Sequence, residues 1–160
     1  MSQTLSQEKN TSPSFNSIPT QVGVHVARRF THKGKDPLDD VTWEKRRTVI
    51  ANPDGSTVFA MEGVEVPAEW SQLATDIVVS KYFRKAGVPG EPGSETSVRQ
   101  VVRRITRTIR VTGEQQGGYF ERPEDADAFE TELAYMLVHQ IGAFNSPVWF
   151  NCGLFHEYGI

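Results

Sequence analysis

The sequence FETELAYMLVHQIGAFNSPVWFNCG, residues 129–153, decides how this chain folds. Its first half predicts an amphipathic helix because large apolar residues recur every four positions: Phe129, Leu133, Leu137 and Ile141. Gly142 interrupts the period, and Asn145-Ser146-Pro147 ends the helix, since proline lacks an N–H and disfavours helical geometry in the residue before it. The aromatic and β-branched run Val148-Trp149-Phe150 predicts a short buried strand. A polar Asn-Ser pair is therefore expected between a core helix and a core strand.

Two interpretations of Ser146 are open from the sequence alone. A buried amide or hydroxyl costs free energy unless it finds a hydrogen-bond partner. In the first interpretation, Asn145 and Ser146 cap backbone groups at the turn. In the second, Ser146 presents its hydroxyl and backbone N–H to a ligand. Spacing does not choose between them.

Composition limits the classes of protein to consider. The chain has 160 residues, 38% of them hydrophobic, which is enough for one domain with a core. A net charge of -3 gives no argument for a nucleic-acid or membrane partner. The chain shows neither the long apolar run of a membrane span nor a secretory signal. The single cysteine, Cys152, excludes an internal disulfide and fits a cytoplasmic location. The scattered histidines predict no metal site.

The residues before 129 predict a polar tail and then a small hairpin. Residues 1–20 are rich in Ser, Thr, Gln, Asn and Pro, so we expect them to be disordered. Alternating valines at 22–26 predict a short strand or extended arm. Two strand-like runs, 48–50 and 57–59, flank Asn52-Pro53-Asp54-Gly55, which is strong turn chemistry.

Two further helices are predicted between the hairpin and residue 129. The first spans Pro67–Lys85, and its apolar face comprises Trp70, Leu73, Ala74, Ile77, Val78 and Tyr82. The second follows a loop at 86–94, is capped by Thr96 or Ser97, and ends near Gly113. The predicted fold class is therefore mainly α with a small β-hairpin.

The second of these helices carries five arginines opposite its apolar face: Arg99, Arg103, Arg104, Arg107 and Arg110. One hypothesis is a stand-alone helical adaptor that binds an anionic partner through helix 97–112. The acidic residues within 121–132 support another interpretation. A basic helix beside an acidic helix start forms surface ion pairs, each worth ~0–1 kcal/mol.

Four motifs in the same order resemble the amino-terminal region of adenosylcobalamin-dependent (class II) ribonucleotide reductases. They are WSQLATDIVVSKYFR at 70–84, SVRQVVRRI at 97–105, GGYF at 117–120 and FNSPVWFNCG at 144–153. The resemblance implies reduction of the ribose 2′-position of ribonucleotides, diphosphates or triphosphates, by a cysteine thiyl radical generated from adenosylcobalamin. It further implies that residues 21–143 form a hairpin and helical region, and that residues 144–160 begin a ten-stranded α/β barrel with its first strand.

The resemblance also assigns roles to individual residues. Ser146 would lie against the ribonucleotide substrate, and no residue of this chain would be catalytic. The first redox cysteine of the family lies in a Ser-Ala-Cys-Phe-like motif that residues 1–160 lack. Cys152 stands where relatives commonly have an apolar residue, so we expect a small buried hydrophobe there.

Further expectations concern partners. Most adenosylcobalamin contacts would come from the remainder of the reductase chain, without which residues 1–160 would be inactive. The family often forms dimers, which implies a homodimer of the full-length enzyme.

An unpaired strand edge at 148–150 would lower the solubility of the chain alone. A third hypothesis is a non-catalytic remnant that modulates a complete reductase from its dimer or barrel surface.

Overall fold

A computed structural model describes residues 23–160 of the chain. The predictions of a disordered tail at 1–20 and of an arm that includes Val22 therefore lie wholly or partly outside the described residues. Within that range, strands and helices follow in this order: β1 Trp43–Ala51, β2 Thr57–Pro67, α1 Gln72–Ile77, a π-helical segment Val78–Tyr82, α2 Val98–Gln116, α3 Pro123–Val138, α4 Ser146–Asn151 and α5 Leu154–Tyr158. None of the described helices is long and apolar enough to cross a bilayer.

The predicted hairpin is confirmed. Strands β1 and β2 pair antiparallel, with Trp43 opposite Pro67 and Ala51 opposite Thr57. The turn closes where the Gly55 N–H donates to the carbonyl of Asn52 over 2.9 Å. Gly55 has a φ of 85°, the left-handed geometry that the Asp-Gly pair supplies cheaply. The hairpin therefore forms a two-stranded sheet on one side of the helical core.

The helix predicted from Pro67 starts later than expected, so that boundary was wrong. Pro67 still pairs with Trp43 in the sheet. Ser71 is the N-cap of α1, and its hydroxyl accepts from the Ala74 N–H over 3.1 Å. The predicted apolar face is also partly wrong, because Leu73 is 69% exposed.

The π-helical segment accounts for part of the difference between the predicted and the observed apolar face. From Val78 the backbone changes to the wider i→i+5 bonding of a π-helix, and the Phe83 N–H donates to the carbonyl of Val78. The wider turn changes which side chains face the core. Val78, Val79 and Phe83 are buried, whereas Ile77 is exposed.

Helix α2 is the central element of the core. Its apolar positions are fully buried between α3 and the hairpin: Val98, Val101, Val102 and Ile105. The helix ends at Gln116 with Gly117 as C-cap, so the predicted end at Gly113 was wrong. Gly113 lies inside the helix, and glycine fits there because a Cβ would come within 2.8 Å of the Phe120 ring.

Ser97 begins α2 with a capping box, which resolves the choice between Thr96 and Ser97. Its hydroxyl accepts from the Arg99 N–H over 3.1 Å, and Gln100 accepts from the Ser97 N–H over 3.0 Å. The same hydroxyl donates to the carboxylate of Glu65 on β2. The cap thus joins α2 to the hairpin.

Replacing Ser97 with alanine is expected to lower the free energy of unfolding by about 1–2 kcal/mol, because the cap and its bond to Glu65 are both lost. Thr96→Ala is the matched control one residue earlier, and it should cost clearly less. Urea unfolding of both variants measures the difference. Equal costs for the two variants would contradict the assignment of Ser97 as the cap.

The helix predicted at 129–141 is present as α3, which begins at Pro123 and ends at Val138, so the predicted end at Ile141 was wrong. Pro123 in the first turn needs no N–H partner, and acidic residues in that turn suit the helix dipole. Leu137 is buried against the core, and the indole N–H of Trp70 donates to the carbonyl of Val138 over 2.7 Å. Ile141 follows the helix and is exposed.

The strand predicted at 148–150 is wrong, because these residues belong to helix α4. Asn145 is extended and serves as the N-cap, while Pro147 falls in the first turn, where its fixed φ favours a helix. Trp149 is buried, and its indole N–H donates to the carbonyl of Phe144 over 2.8 Å. The expected unpaired strand edge and its effect on solubility therefore lose their basis. The domain boundary at 143/144 stays a prediction.

Candidate functional site

A buried arginine holds together the segments that surround Ser146. Arg104 was expected on the solvated face of α2, but its side chain is 0% exposed, so that expectation was wrong. The Nε atom of Arg104 donates to Oε1 of Glu95 over 2.7 Å, and the Glu95 side chain is equally buried. A buried ion pair requires partners for its remaining polar atoms.

The remaining N–H groups of Arg104 bind backbone carbonyls from two neighbouring segments. Nη1 donates to the carbonyl of Cys152 over 2.6 Å, and Nη2 donates to that of Trp149 over 2.7 Å. Nη2 also reaches the carbonyl of Tyr82 over 3.2 Å. The last carbonyls of a helix have no partner within it, so Arg104 satisfies groups at the end of α4 and at the π-helical segment.

Glu95 completes the network around Arg104. Its Oε2 accepts from the Arg84 N–H over 2.7 Å, and its Oε1 accepts from the hydroxyl of Tyr158 over 3.0 Å. Burial, together with the neighbouring carboxylate, raises the pKa of Tyr158 well above its ordinary value. The phenol therefore stays protonated and donates, which attaches α5 to the same ion pair.

Gly153 lets the chain pass directly over the backbone of α2. Its φ is 87°, and an added Cβ would lie 2.6 Å from the carbonyl carbon of Arg104 and closer still to the oxygen. Only glycine combines this backbone geometry with so close an approach. The Cys-Gly end of the FNSPVWFNCG motif is thus explained by packing.

Ser146 lies at the exposed start of α4, beside Tyr82. The two hydroxyl oxygens are 3.1 Å apart, and Ser146 is solvent-exposed. The Tyr82 ring packs against Trp149 and Phe150 at centroid distances of 5.8 and 5.2 Å. The side chain of Asn145 makes no capping bond to α4. The capping interpretation thus finds no support at Asn145, and the ligand interpretation of Ser146 stays a prediction.

A mainly apolar cavity of about 230 Å³ adjoins Tyr82. Its wall is formed largely by side chains of the core: Trp70, Val78, Tyr82, Leu137, Phe144 and Trp149. Ser146 does not line this cavity, but it contacts Tyr82, which forms part of the cavity wall.

Cys152 is half-buried against the core rather than fully buried. Burial raises the pKa of its thiol, although the charge of nearby Arg104 acts in the opposite direction. The thiolate, which is the nucleophilic form, is therefore disfavoured. This environment suits a packing role for Cys152.

The other four arginines of α2 form ion pairs with neighbouring carboxylates: Arg99 with Asp39 and Glu65, Arg103 with Asp36, Arg107 with Glu157, and Arg110 with Glu114, Asp127 and Glu130. The predicted pairing with the acidic residues within 121–132 is confirmed only for Arg110. Arg99, Arg103 and Arg107 pair instead with carboxylates of the loop before β1, of β2 and of α5. These pairs neutralise much of the charge that the adaptor hypothesis requires.

One group of potential metal ligands was not predicted from the sequence. Single ligand atoms of His25, Glu121 and Asp125 lie within 4.8 Å of one another. The guanidinium of Arg122 already donates to Asp125 over 3.1 Å and holds the pKa of that carboxyl well below its usual range. His25 and the Val26 N–H bind the same carboxylate. The group therefore functions as an ion pair that joins the segment at 25–26 to α3.

The sequence model of the class II vitamin B12-dependent ribonucleotide reductases matches residues 44–140, more than half of the chain. The chain belongs to this family. A vitamin B12-dependent ribonucleotide reductase of Streptomyces clavuligerus is 50% identical over 132 residues, which cover 82% of this chain and 13% of that protein. The reductase of Rhodopirellula baltica is 39% identical over 171 residues, 92% of this chain and 16% of that protein.

This member of the reductase family thus spans about one seventh of the length of the curated relatives it matches. The family match ends at residue 140, so Ser146 lies beyond it. The α2 motif, the π-helical segment and all of α3 lie inside it. The resemblance proposed from the four motifs is confirmed at the level of the family.

The described residues do not by themselves suit the vitamin B12 cofactor that the relatives' names imply. Two clefts of the described residues measure about 590 and 430 Å³, and both are open and lined in part by charged side chains. Pockets of ~300–1,000 Å³ hold drug-sized ligands, and a corrinoid is larger than these. No step of the chemistry is therefore assigned to a corrinoid on this chain.

Proposed function

We propose that this chain is the N-terminal part of a ribonucleotide reductase that converts ribonucleotides, diphosphates or triphosphates, to deoxyribonucleotides by a thiyl-radical mechanism with adenosylcobalamin. The family match and the half-identical Streptomyces relative support this proposal. The relatives are far longer than the aligned segment, so the reaction requires the remainder of the enzyme as partner. Residues 144–160 would lead into the ten-stranded barrel, and that remainder would supply the rest of the barrel, most contacts to the cofactor and the homodimer contacts.

The chain alone should have no reductase activity. A thiyl-radical reductase of this kind uses a radical cysteine and a pair of redox cysteines, whereas this chain has a single cysteine. That cysteine is half-buried with a raised pKa, which suits neither role. The chain instead contributes structure around the substrate.

Within the whole enzyme, Ser146 forms one wall of the ribonucleotide pocket. The observation that supports this role is an exposed hydroxyl whose position is fixed by Tyr82 and by the attachment of α4 to Arg104. A serine hydroxyl both donates and accepts, as the ribose hydroxyls do. A fixed hydroxyl loses little conformational entropy when it binds substrate.

Ser146→Ala in the full-length reductase should lower kcat/KM for ribonucleotide reduction by about tenfold, the loss of one hydrogen bond of ~1.5 kcal/mol. Tyr82→Phe should lower it by about threefold, because the serine is then less well fixed. Product formation is measured with adenosylcobalamin and a dithiol reductant. Ser56→Ala, in the hairpin turn, is the control and should leave the kinetics unchanged. An unchanged kcat/KM in Ser146→Ala would refute the substrate role of that residue.

A further inference from the structure

A second cleft also borders Tyr82 and differs in chemistry from the apolar cavity. It measures about 590 Å³ and lies between residues 81–86 and Phe150-Asn151. Three cations line it, together with aromatic rings and one amide: Lys81, Arg84, Lys85, Tyr82, Phe150 and Asn151. The described lining contains no carboxylate.

The three cations of this cleft form no ion pairs with carboxylates in the described part of the chain, whereas the α2 arginines do. Nε of Arg84 donates to the carbonyl of Ala86 over 2.8 Å, and Nζ of Lys85 donates to the carbonyls of Val79 and Phe83. Carbonyls satisfy N–H groups but carry no net charge. Within residues 23–160, no ion pair involves Lys81, Arg84 or Lys85. Three like charges within five residues repel one another, and a bound anion would relieve that repulsion.

Lys85 lies in a partly buried environment that disfavours its charged form. Burial lowers the pKa of Lys85 to about 8, although the nearby Glu95 acts to raise it. The ammonium lies 4.8 Å from the centroid of the Phe59 ring. At neutral pH the group is still mostly protonated, so it remains available to an anion.

The aromatic wall adds a second kind of recognition. The rings of Tyr82 and Phe150 are 5.2 Å apart, and Phe150 is 43% exposed although it is large and apolar. Exposed aromatic rings beside cations form stacking surfaces for bases, while the cations bind phosphate. Asn151 adds an amide that both donates and accepts.

We propose that this cleft is a binding site for a nucleoside phosphate, with the phosphates on Lys81, Arg84 and Lys85 and the base against Phe150 and Tyr82. The volume falls within the ~300–1,000 Å³ range of small-molecule sites. The site goes beyond the proposed substrate role of Ser146, because it needs neither that hydroxyl nor the remainder of the reductase. It would let this N-terminal region bind a nucleotide separately from the substrate.

Isothermal titration calorimetry of the 160-residue chain with ATP, tripolyphosphate and adenosine tests the site. We expect ATP to bind at least about tenfold more tightly than either of the others, because ATP alone provides both the charge and the ring. Lys81→Gln with Arg84→Gln should weaken ATP binding by about tenfold. Phe150→Leu should reduce the affinity for ATP towards that for tripolyphosphate.

Arg103→Gln with Arg107→Gln is the matched control, because it removes the same number of positive charges from the paired surface of α2. It should change the affinity for ATP by less than about twofold. Ser146→Ala should leave ATP binding unchanged, which separates this site from the substrate pocket. Circular dichroism checks that each variant is folded, and all the substituted cations are exposed.

Several outcomes would overturn the proposal. The absence of ATP binding at millimolar concentration would remove the site altogether. Equal affinities for ATP and tripolyphosphate would leave only a non-specific anion site. Equal losses in the two double variants would show that net charge alone governs binding, and loss of binding in Ser146→Ala would assign the nucleotide to the substrate pocket.

Discussion

Replacing Arg104 with methionine should lower the free energy of unfolding by about 3–5 kcal/mol, one of the largest effects expected in this chain. The substitution leaves the fully buried carboxylate of Glu95 without its cation. It also removes the donors that bind the carbonyls of Cys152, Trp149 and Tyr82. Urea or guanidinium unfolding followed by circular dichroism measures the change.

Arg103→Met is the matched control, because it makes the same substitution at the adjacent position of α2. Arg103 is exposed and pairs with Asp36 at the surface, so its loss should cost only ~0–1 kcal/mol. If Arg103→Met destabilises the chain as much as Arg104→Met, Arg104 does not have the structural role proposed here. A second test combines Arg104→Met with Glu95→Leu. The double variant should recover much of the lost stability, because it removes the unpaired buried charge.

The position of Arg104 illustrates what spacing does not reveal. Arg104 follows Val101 by three residues, so it lies at the edge of the apolar stripe, where either a solvated or a buried side chain is compatible with the pattern. Its partner Glu95 comes from the loop before α2, and its other partners are the carbonyls of Tyr82, Trp149 and Cys152. Only the tertiary fold brings these groups together. The sequence therefore offered no reason to separate Arg104 from the other arginines of α2, and all five were predicted to be exposed.

The elements that were predicted correctly are specified by residues close together in the sequence. The hairpin is specified by strand-like runs on both sides of Asn52-Pro53-Asp54-Gly55. Helix α3 is specified by Pro123 in its first turn and by apolar residues spaced four apart. Neither prediction depends on a distant contact, which is why both were confirmed.

The prediction failed at α4 because one local signal has two meanings. Proline prevents a helix from continuing through it, yet it favours a helix that begins there. Pro147 was interpreted only in the first sense, and the β-branched and aromatic residues after it then favoured a strand. Six residues are too few for a hydrophobic period to correct that choice. Tyr82 as the neighbour of Ser146 was likewise missed, since 64 positions separate them.

Gly153→Ala is the second prediction with a large expected effect, and it tests the same part of the fold from the backbone side. The new Cβ would overlap the carbonyl group of Arg104, which is backbone and cannot rotate away as a side chain can. The left-handed φ of 87° adds strain for any residue with a Cβ. We expect a loss of about 3–4 kcal/mol in the free energy of unfolding, the sum of overpacking and backbone strain.

Gly159→Ala separates these two contributions, because it keeps the backbone strain and omits the clash. Gly159 has a φ of 73°, and a Cβ there would meet nothing within 4 Å. Its cost should therefore be the strain alone, about 1–2 kcal/mol. The difference between the two variants then measures how firmly α4 and α5 are held against α2. Equal losses would mean that the chain can move away from α2 at little cost, in which case Ser146 would not be held in one position by the packing beneath it.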